Sequence, residues 1–183
     1  MSENNAIMQG GSVAESCVLQ ISDLHKSYGS HPVLEGVSFS IPRGKIVGLL
    51  GPNGCGKSTI MKMISGLLPA DNGSILIDGH LPGLVSKSIV SYLPERTYLN
   101  DWMKVSEVLQ FFSDFYADFD LERAQQMLAD LHLSPNTRLK TMSKGTKEKV
   151  QLILVMSRRA QLYLLDEPIG GVDPAARLPA SIS

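Results

Sequence analysis

Gly51-Pro52-Asn53-Gly54-Cys55-Gly56-Lys57-Ser58-Thr59 decides the fold. It fits the pattern G-x-x-x-x-G-K-S/T, in which glycines let successive backbone N–H groups turn inward around phosphate oxygens. A helix that starts at such a loop points the positive end of its dipole at the same anion. Lys57 supplies a compact positive charge for the outer phosphates of a nucleotide, and the Ser58 hydroxyl is a ligand for Mg²⁺. In a chain of this length the four fixed positions would match by chance in fewer than about one case in a hundred. The flanking residues agree. Before the loop, Lys45-Ile46-Val47-Gly48-Leu49-Leu50 is almost wholly apolar, as expected of a strand buried on both faces of a parallel sheet. After it, Ile60, Ile64, Leu67 and Leu68 share one face of a helix predicted over 57–68. Cys55 holds a variable loop position and reads as a small residue that fits, with a redox-sensing thiolate beside Lys57 as the alternative.

Working outward, strands and helices are mixed along the chain. Val37, Phe39 and Ile41 alternate with Ser38 and Ser40, the period of a half-buried strand, and Pro42-Arg43-Gly44 turns it. Ser74-Ile75-Leu76-Ile77 is a short strand between the turn signals Asp71-Asn72-Gly73 and Asp78-Gly79. Ile89-Val90-Ser91-Tyr92-Leu93 is another, ended by Pro94. Val105, Val108, Leu109 and Phe112 form the apolar stripe of a helix, and Asp120 is the predicted N-cap of a second carrying Leu121, Ala124, Leu128 and Leu131. Ser143 caps a third, reaching about Arg159, and Leu162-Tyr163-Leu164-Leu165 is a further buried strand. The class is α/β. Residues 1–17 read as a flexible tail, 18–183 as the folded domain, and about 97–142 as a mostly helical insertion.

Composition narrows the function classes. At 183 residues, 43% hydrophobic and 19% charged, the chain suits one domain with a substantial core and excludes a disordered one. Lys plus Arg total 17 against 18 for Asp plus Glu, without the basic excess of a typical nucleic-acid binder. Two cysteines, Cys17 and Cys55, are too few for a disulfide framework. No run approaches the ~18 apolar residues of a membrane helix, and the N-terminus lacks the basic start and apolar stretch of a signal peptide. Work at a membrane would require another polypeptide to cross it.

The strand 162–165 ends in Asp166-Glu167, at the sheet edge where ligands sit in α/β folds. Asp166 suits a hydrated Mg²⁺ and Glu167 the polarisation of an attacking water. Together with the phosphate loop these residues resemble the ATP-binding cassette family, from about Val18 to Arg177. The fold that this implies is a P-loop NTPase with a mixed or parallel sheet core, an N-terminal antiparallel β region and a helical subdomain inserted before the signature motif. Leu164-Leu165-Asp166-Glu167-Pro168 and then Gly170-Gly171-Val172-Asp173-Pro174 resemble the family's acidic strand end and D-loop. Met142-Ser143-Lys144-Gly145-Thr146 stands where the family has Leu-Ser-Gly-Gly-Gln, and Tyr28 where it stacks an aromatic on adenine. The resemblance implies ATP and Mg²⁺ as cofactors. It implies ATP held by Gly51 to Thr59 and Tyr28, with Ser143 and Gly145 of a head-to-tail homo- or heterodimer partner closing over it. It also implies a separate membrane permease, no nucleic acid, and a cytoplasmic place on the inner face of the cell membrane. An aromatic set (Phe111, Phe112, Phe115, Tyr116 and Phe119) reads as core packing or as a face toward the permease, joined by Trp102.

Three positions depart from the family pattern. Lys144 and Thr146 replace a glycine and the glutamine of the signature. Glu95 stands in place of the Q-loop glutamine, where it remains a candidate contact to a metal-bound water. The histidines, His25, His31, His80 and His132, all precede Glu167, so the family's switch histidine has no counterpart and the cassette reads as C-terminally shortened. Lys140, Lys144, Lys147, Lys149, Arg158 and Arg159 read as a solvated basic face or as help for a partner's ATP. The leading expectation is an ATP-hydrolysing transporter subunit of the branch paired with export-type permeases. The alternatives are an ATP-binding module with little turnover, or a soluble, non-transport ABC ATPase.

Overall fold

The computed structural model describes residues 17–167. The first unit is antiparallel: β1 (Cys17–Tyr28) lies between β2 (His31–Pro42) and β3 (Asn72–Ile77). Alternation at Val37, Phe39 and Ile41 turns these side chains toward the interior and Ser38 and Ser40 outward, as expected. β1 opens at Cys17, the last residue of the expected tail. α1 (Lys57–Ile64) buries Ile60, Met63 and Ile64 in the same apolar cluster as Leu19, Leu24 and Ile77. It is shorter than the predicted helix, stopping two residues before the left-handed Gly66 (φ 71°), and leaves Leu67 exposed.

The short helix α2 (Leu84–Ile89) leads into β4 (Val90–Leu93), which pairs in parallel with β5 (Leu162–Leu165). Leu162 and Leu164 enter the first cluster. A second cluster is built from α3 (Val105–Phe115), α4 (Leu121–Asp130) and α5 (Lys144–Met156). Val105, Val108, Leu109 and Phe112 are all buried, and the Asp120 carboxylate accepts from Arg123 N–H at 3.0 Å, the predicted cap. Leu131 falls beyond α4 and is partly exposed. The aromatic set is continuous but differs in burial: Phe112 packs with Tyr116 and Phe119, whereas Phe111 and Phe115, stacked on each other and edge-on to Phe112 and Tyr116, are exposed.

Three expectations are corrected. Residues 45–50 do not form a strand, and Ile46 and Leu50 are 104% and 92% exposed. A strand buried on both faces needs neighbours to take up its N–H and C=O groups. Among the described residues β4 and β5 pair with each other and none pairs with 45–50. The signal Asp71-Asn72-Gly73 is not a free turn, because Asn72 and Gly73 already belong to β3. Gly73 (φ 87°) lets the chain pass so close to Asp23 that a Cβ would lie 2.2 Å from its carbonyl oxygen.

The third correction is Arg158, which is 3% exposed rather than part of a solvated face. Its guanidinium donates to Asp118 Oδ1 at 3.0 Å and to the carbonyls of Ser88 (2.9 Å) and Val90 (2.8 Å), and lies 4.0 Å from the Tyr116 ring centre. It joins the C-terminal end of α2 and the start of β4 to the segment between α3 and α4. No helix among the described residues is long and apolar enough to cross a membrane.

Candidate nucleotide site

Residues 51–56 wind into the start of α1. Gly54 (φ 83°) and Gly56 (φ 93°) both take left-handed backbone conformations. At Gly56 glycine is required twice, because a Cβ would also meet Leu34 Cδ2 at 2.7 Å and Val33 Cγ1 at 3.1 Å. The loop is thus seated on β2, in the hairpin whose tip carries Tyr28. Tyr28 is half exposed there, and no hydrogen bond joins it to the loop among the described residues. Lys57 Nζ donates to Gly51 O at 2.8 Å and Pro52 O at 2.9 Å, so the loop curls around the ammonium group. Cys55 is exposed, with Sγ 3.9 Å from Lys57 Nζ.

Ser58 Oγ, one residue further, donates to Asp166 Oδ1 at 2.9 Å. Asp166 is 4% exposed, at the end of β5, and is held by its own N–H to Leu93 O at 2.9 Å. Tyr92 was not singled out from sequence as a site residue; its hydroxyl faces Asp166 Oδ2 at 3.4 Å. Burial first, then the Asp166 charge and the hydrogen bond to it, push the Tyr92 phenol up to about 12, so it stays a proton donor at neutral pH.

Glu167 takes a left-handed conformation (φ 49°), sparsely populated for a residue other than glycine. It lines a cleft of ≈ 720 Å³ with Leu93–Thr97, which includes Glu95, and with Lys144, Lys147, Glu148 and Gln151 of α5. Glu95 and Glu167 therefore share one cavity, whose lining leaves out Asp166. Ser143 caps α5, accepting from Thr146 N–H at 3.2 Å, and a Cβ on Gly145 would meet nothing within 4 Å beyond its chain neighbours and its own helix backbone. The residues of the D-loop resemblance, 170–174, lie outside the described residues.

A hard divalent cation fits the Ser58 and Asp166 oxygens, which already approach to hydrogen-bonding distance. Among the described residues no three His, Cys, Asp or Glu side chains form a metal cluster. Mg²⁺ keeps several waters and uses few protein ligands alongside substrate phosphates.

The profile of the ABC transporter family matches residues 34–170, three-quarters of the sequence and all of this site except Tyr28. The chain belongs to the ABC transporter family. It is 38% identical over 162 residues to the SkfA peptide export ATP-binding protein SkfE of Bacillus subtilis (strain 168), covering 85% of this chain and 68% of that one. It is 33% identical to the linearmycin resistance ATP-binding protein LnrL of the same organism, covering 87% of this chain and 54% of LnrL. For the lipopolysaccharide export system ATP-binding protein LptB of Escherichia coli (strain K12) the identity is 32%, over 85% of this chain and 69% of LptB. The ABC chain thus spans from about half to two thirds of the length of these relatives. A solved ATP-binding subunit of an ABC transporter superposes with a TM-score of 0.78 at 33% identity, over 87% of this chain and 70% of the other. Proteins of the ABC family bind ATP, and their P-loop α/β fold is the one seen here.

Proposed function

We propose that this chain binds Mg²⁺-ATP and hydrolyses it to drive a separate membrane permease, from the inner face of the cell membrane. The observation that carries the reading is the Ser58–Asp166 contact, which sets the hydroxyl after the phosphate-loop lysine against the acidic strand end. In this reading the 51–57 backbone and Lys57 hold the phosphates, and Tyr28 stacks on the base. Ser58 and Asp166 hold the magnesium, with Glu95 on its hydration shell. Bound magnesium neutralises charge on the outer phosphates. Glu167, which lines the cleft, accepts a proton from the attacking water, and Lys57 stabilises charge that builds on the transferred phosphoryl group. Ser143 and Gly145, exposed and half-buried at the start of α5, face the nucleotide of a second ATP-binding subunit in a head-to-tail pair. The export functions named for SkfE and LptB support transport as the process served.

A second reading, nucleotide binding with little turnover, is favoured by the segment 45–50, which pairs with no strand among the described residues on its way into the phosphate loop. Calorimetric titration with ATP, with and without Mg²⁺, together with steady-state phosphate release from the purified chain, separates the two. Tight Mg²⁺-dependent binding with turnover supports hydrolysis; binding without phosphate release supports the second reading; no binding removes both.

A further inference from the structure

One polar face of α5 runs from the exposed Lys144 at its start to the buried Gln151. Lys144, Lys147, Glu148 and Gln151 recur at helical spacing and line the cleft that holds Glu95 and Glu167. Lys147 Nζ is paired with Asp101 Oδ1 at 2.6 Å, and Lys144 Nζ lies 3.7 Å from Glu148 Oε1. Gln151 differs from these, being 2% exposed. Its Nε2 donates to Pro94 O at 3.4 Å, and its Oε1 has no hydrogen-bond partner among the described residues.

The sequence explains the half-made pairing. A side-chain carboxamide can donate to the C=O of an extended residue while accepting from the N–H of the same residue. Residue 94 is proline and has no N–H to give. A leucine would fill such a place without an orphaned acceptor. A buried, half-satisfied amide in a folded protein calls for a reason other than stability.

We propose that Gln151 is a positioning residue. It ties the Pro94–Glu95 segment to the helix whose start carries Ser143 and Gly145, so that Glu95 keeps its place beside Glu167. The proposal rests on the nucleotide reading given above. Gln151 touches no reacting atom; it acts through the Pro94 backbone.

The test compares Gln151→Glu and Gln151→Leu with the parent in the full chain. Both remove the donor to Pro94 O. Glutamate keeps the size and an acceptor, whereas leucine keeps the packing, so a folding defect peculiar to one variant is exposed by the other. Amide hydrogen exchange is measured over 95–97 and over β1, with and without Mg²⁺-ATP, alongside kcat and KM. The expected result is faster exchange at 95–97 in both variants, with β1 unchanged. Turnover should fall on the order of tenfold to a hundredfold, as for other lost positioning contacts, while KM moves by less than about twofold. Parental exchange at 95–97 in both variants overturns the proposal, and so does faster exchange with parental kcat. If the parent itself releases no phosphate, the hydrolysis reading fails alone. Gln151 is then judged by whether Mg²⁺-ATP slows exchange at 95–97 in the parent and not in the variants: that difference supports the role, and its absence overturns it.

Discussion

Ser58 Oγ donates a 2.9 Å hydrogen bond to Asp166 Oδ1, joining the first turn of α1 to the end of β5 across 108 residues of chain. Both side chains carry oxygens able to ligate a hard cation, and here each holds the other in place. Ser58→Ala leaves the Asp166 carboxylate with one donor fewer, in a place that is 4% exposed. A loss of about 1–3 kcal/mol in unfolding free energy is expected, the usual consequence of removing one partner of a buried polar pair. The gain in ATP affinity on adding Mg²⁺ should largely vanish. Denaturant unfolding and paired titrations check the two effects, and an undiminished Mg²⁺ gain would remove Ser58 from the metal.

Lys57 is held by two loop carbonyls, Gly51 O and Pro52 O, and its ammonium group can exchange these for phosphate oxygens with little movement of the loop. Lys57→Ala should cost a charge-assisted contact worth about 1.5–3 kcal/mol, or roughly ten- to a hundredfold in ATP affinity. Calorimetric titration reads this directly; unchanged affinity would place the phosphates elsewhere.

Glu167 lies outside the Ser58–Asp166 contact, exposed, on a left-handed backbone that aims it at the cleft shared with Glu95. Glu167→Gln keeps the size and removes the base. ATP binding should persist while phosphate release falls to a few per cent or less, consistent with the roughly 10²–10⁴-fold contribution of a positioned base. Turnover at the parental rate would assign the base to another group, with Glu95 next in line.

Much of this site was legible because its chemistry is local. The loop, its helix and the Asp166-Glu167 strand end each lie in one short stretch, and the caps at Asp120 and Ser143 need only the residues three positions on. What was not legible depends on pairing across the chain. The run 45–50 has a strand's composition, yet composition cannot supply the neighbour that would make it one. Tyr92 reads as one more residue of a short strand until β4 and β5 pair in parallel and carry its hydroxyl to Asp166. Arg158 looked like one of a run of surface cations because its acceptors, the carbonyls of residues 88 and 90 and the Asp118 carboxylate, are between 40 and 70 residues away.

Arg158 also carries a stability expectation. Its guanidinium is buried and fully engaged, so Arg158→Met strands the Ser88 and Val90 carbonyls and leaves Asp118 without its cation. Breaking a buried pair by removing one partner typically costs about 3–5 kcal/mol. Asp118 is partly exposed, which places the expected loss toward the lower end. Equilibrium denaturation of the variant checks this, and a loss below about 1 kcal/mol, the range of exposed pairs, would make Arg158 an ordinary surface cation.

Asp71 gives the fold a pH dependence. Its carboxylate accepts from Lys26 Nζ at 2.6 Å and from Ser27 N–H at 2.7 Å, clamping the start of β3 to the end of β1. The Lys26 hydrogen bond first, and the Ser27 N–H second, hold its pKa below the ordinary 3.8. A carboxylate whose folded value is depressed binds protons more weakly than in the unfolded chain. Its contribution is therefore complete above the unfolded value and is lost as pH falls through the folded one. Asp71→Asn removes the titrating group while keeping an acceptor for Lys26. The melting temperature of the parent should exceed that of the variant by a constant margin between about pH 7 and pH 5, and the margin should shrink below about pH 4. Thermal unfolding followed across this range is the measurement, and a margin that stays constant down to about pH 3 would mean that Asp71 is not bound more tightly as a carboxylate in the folded state.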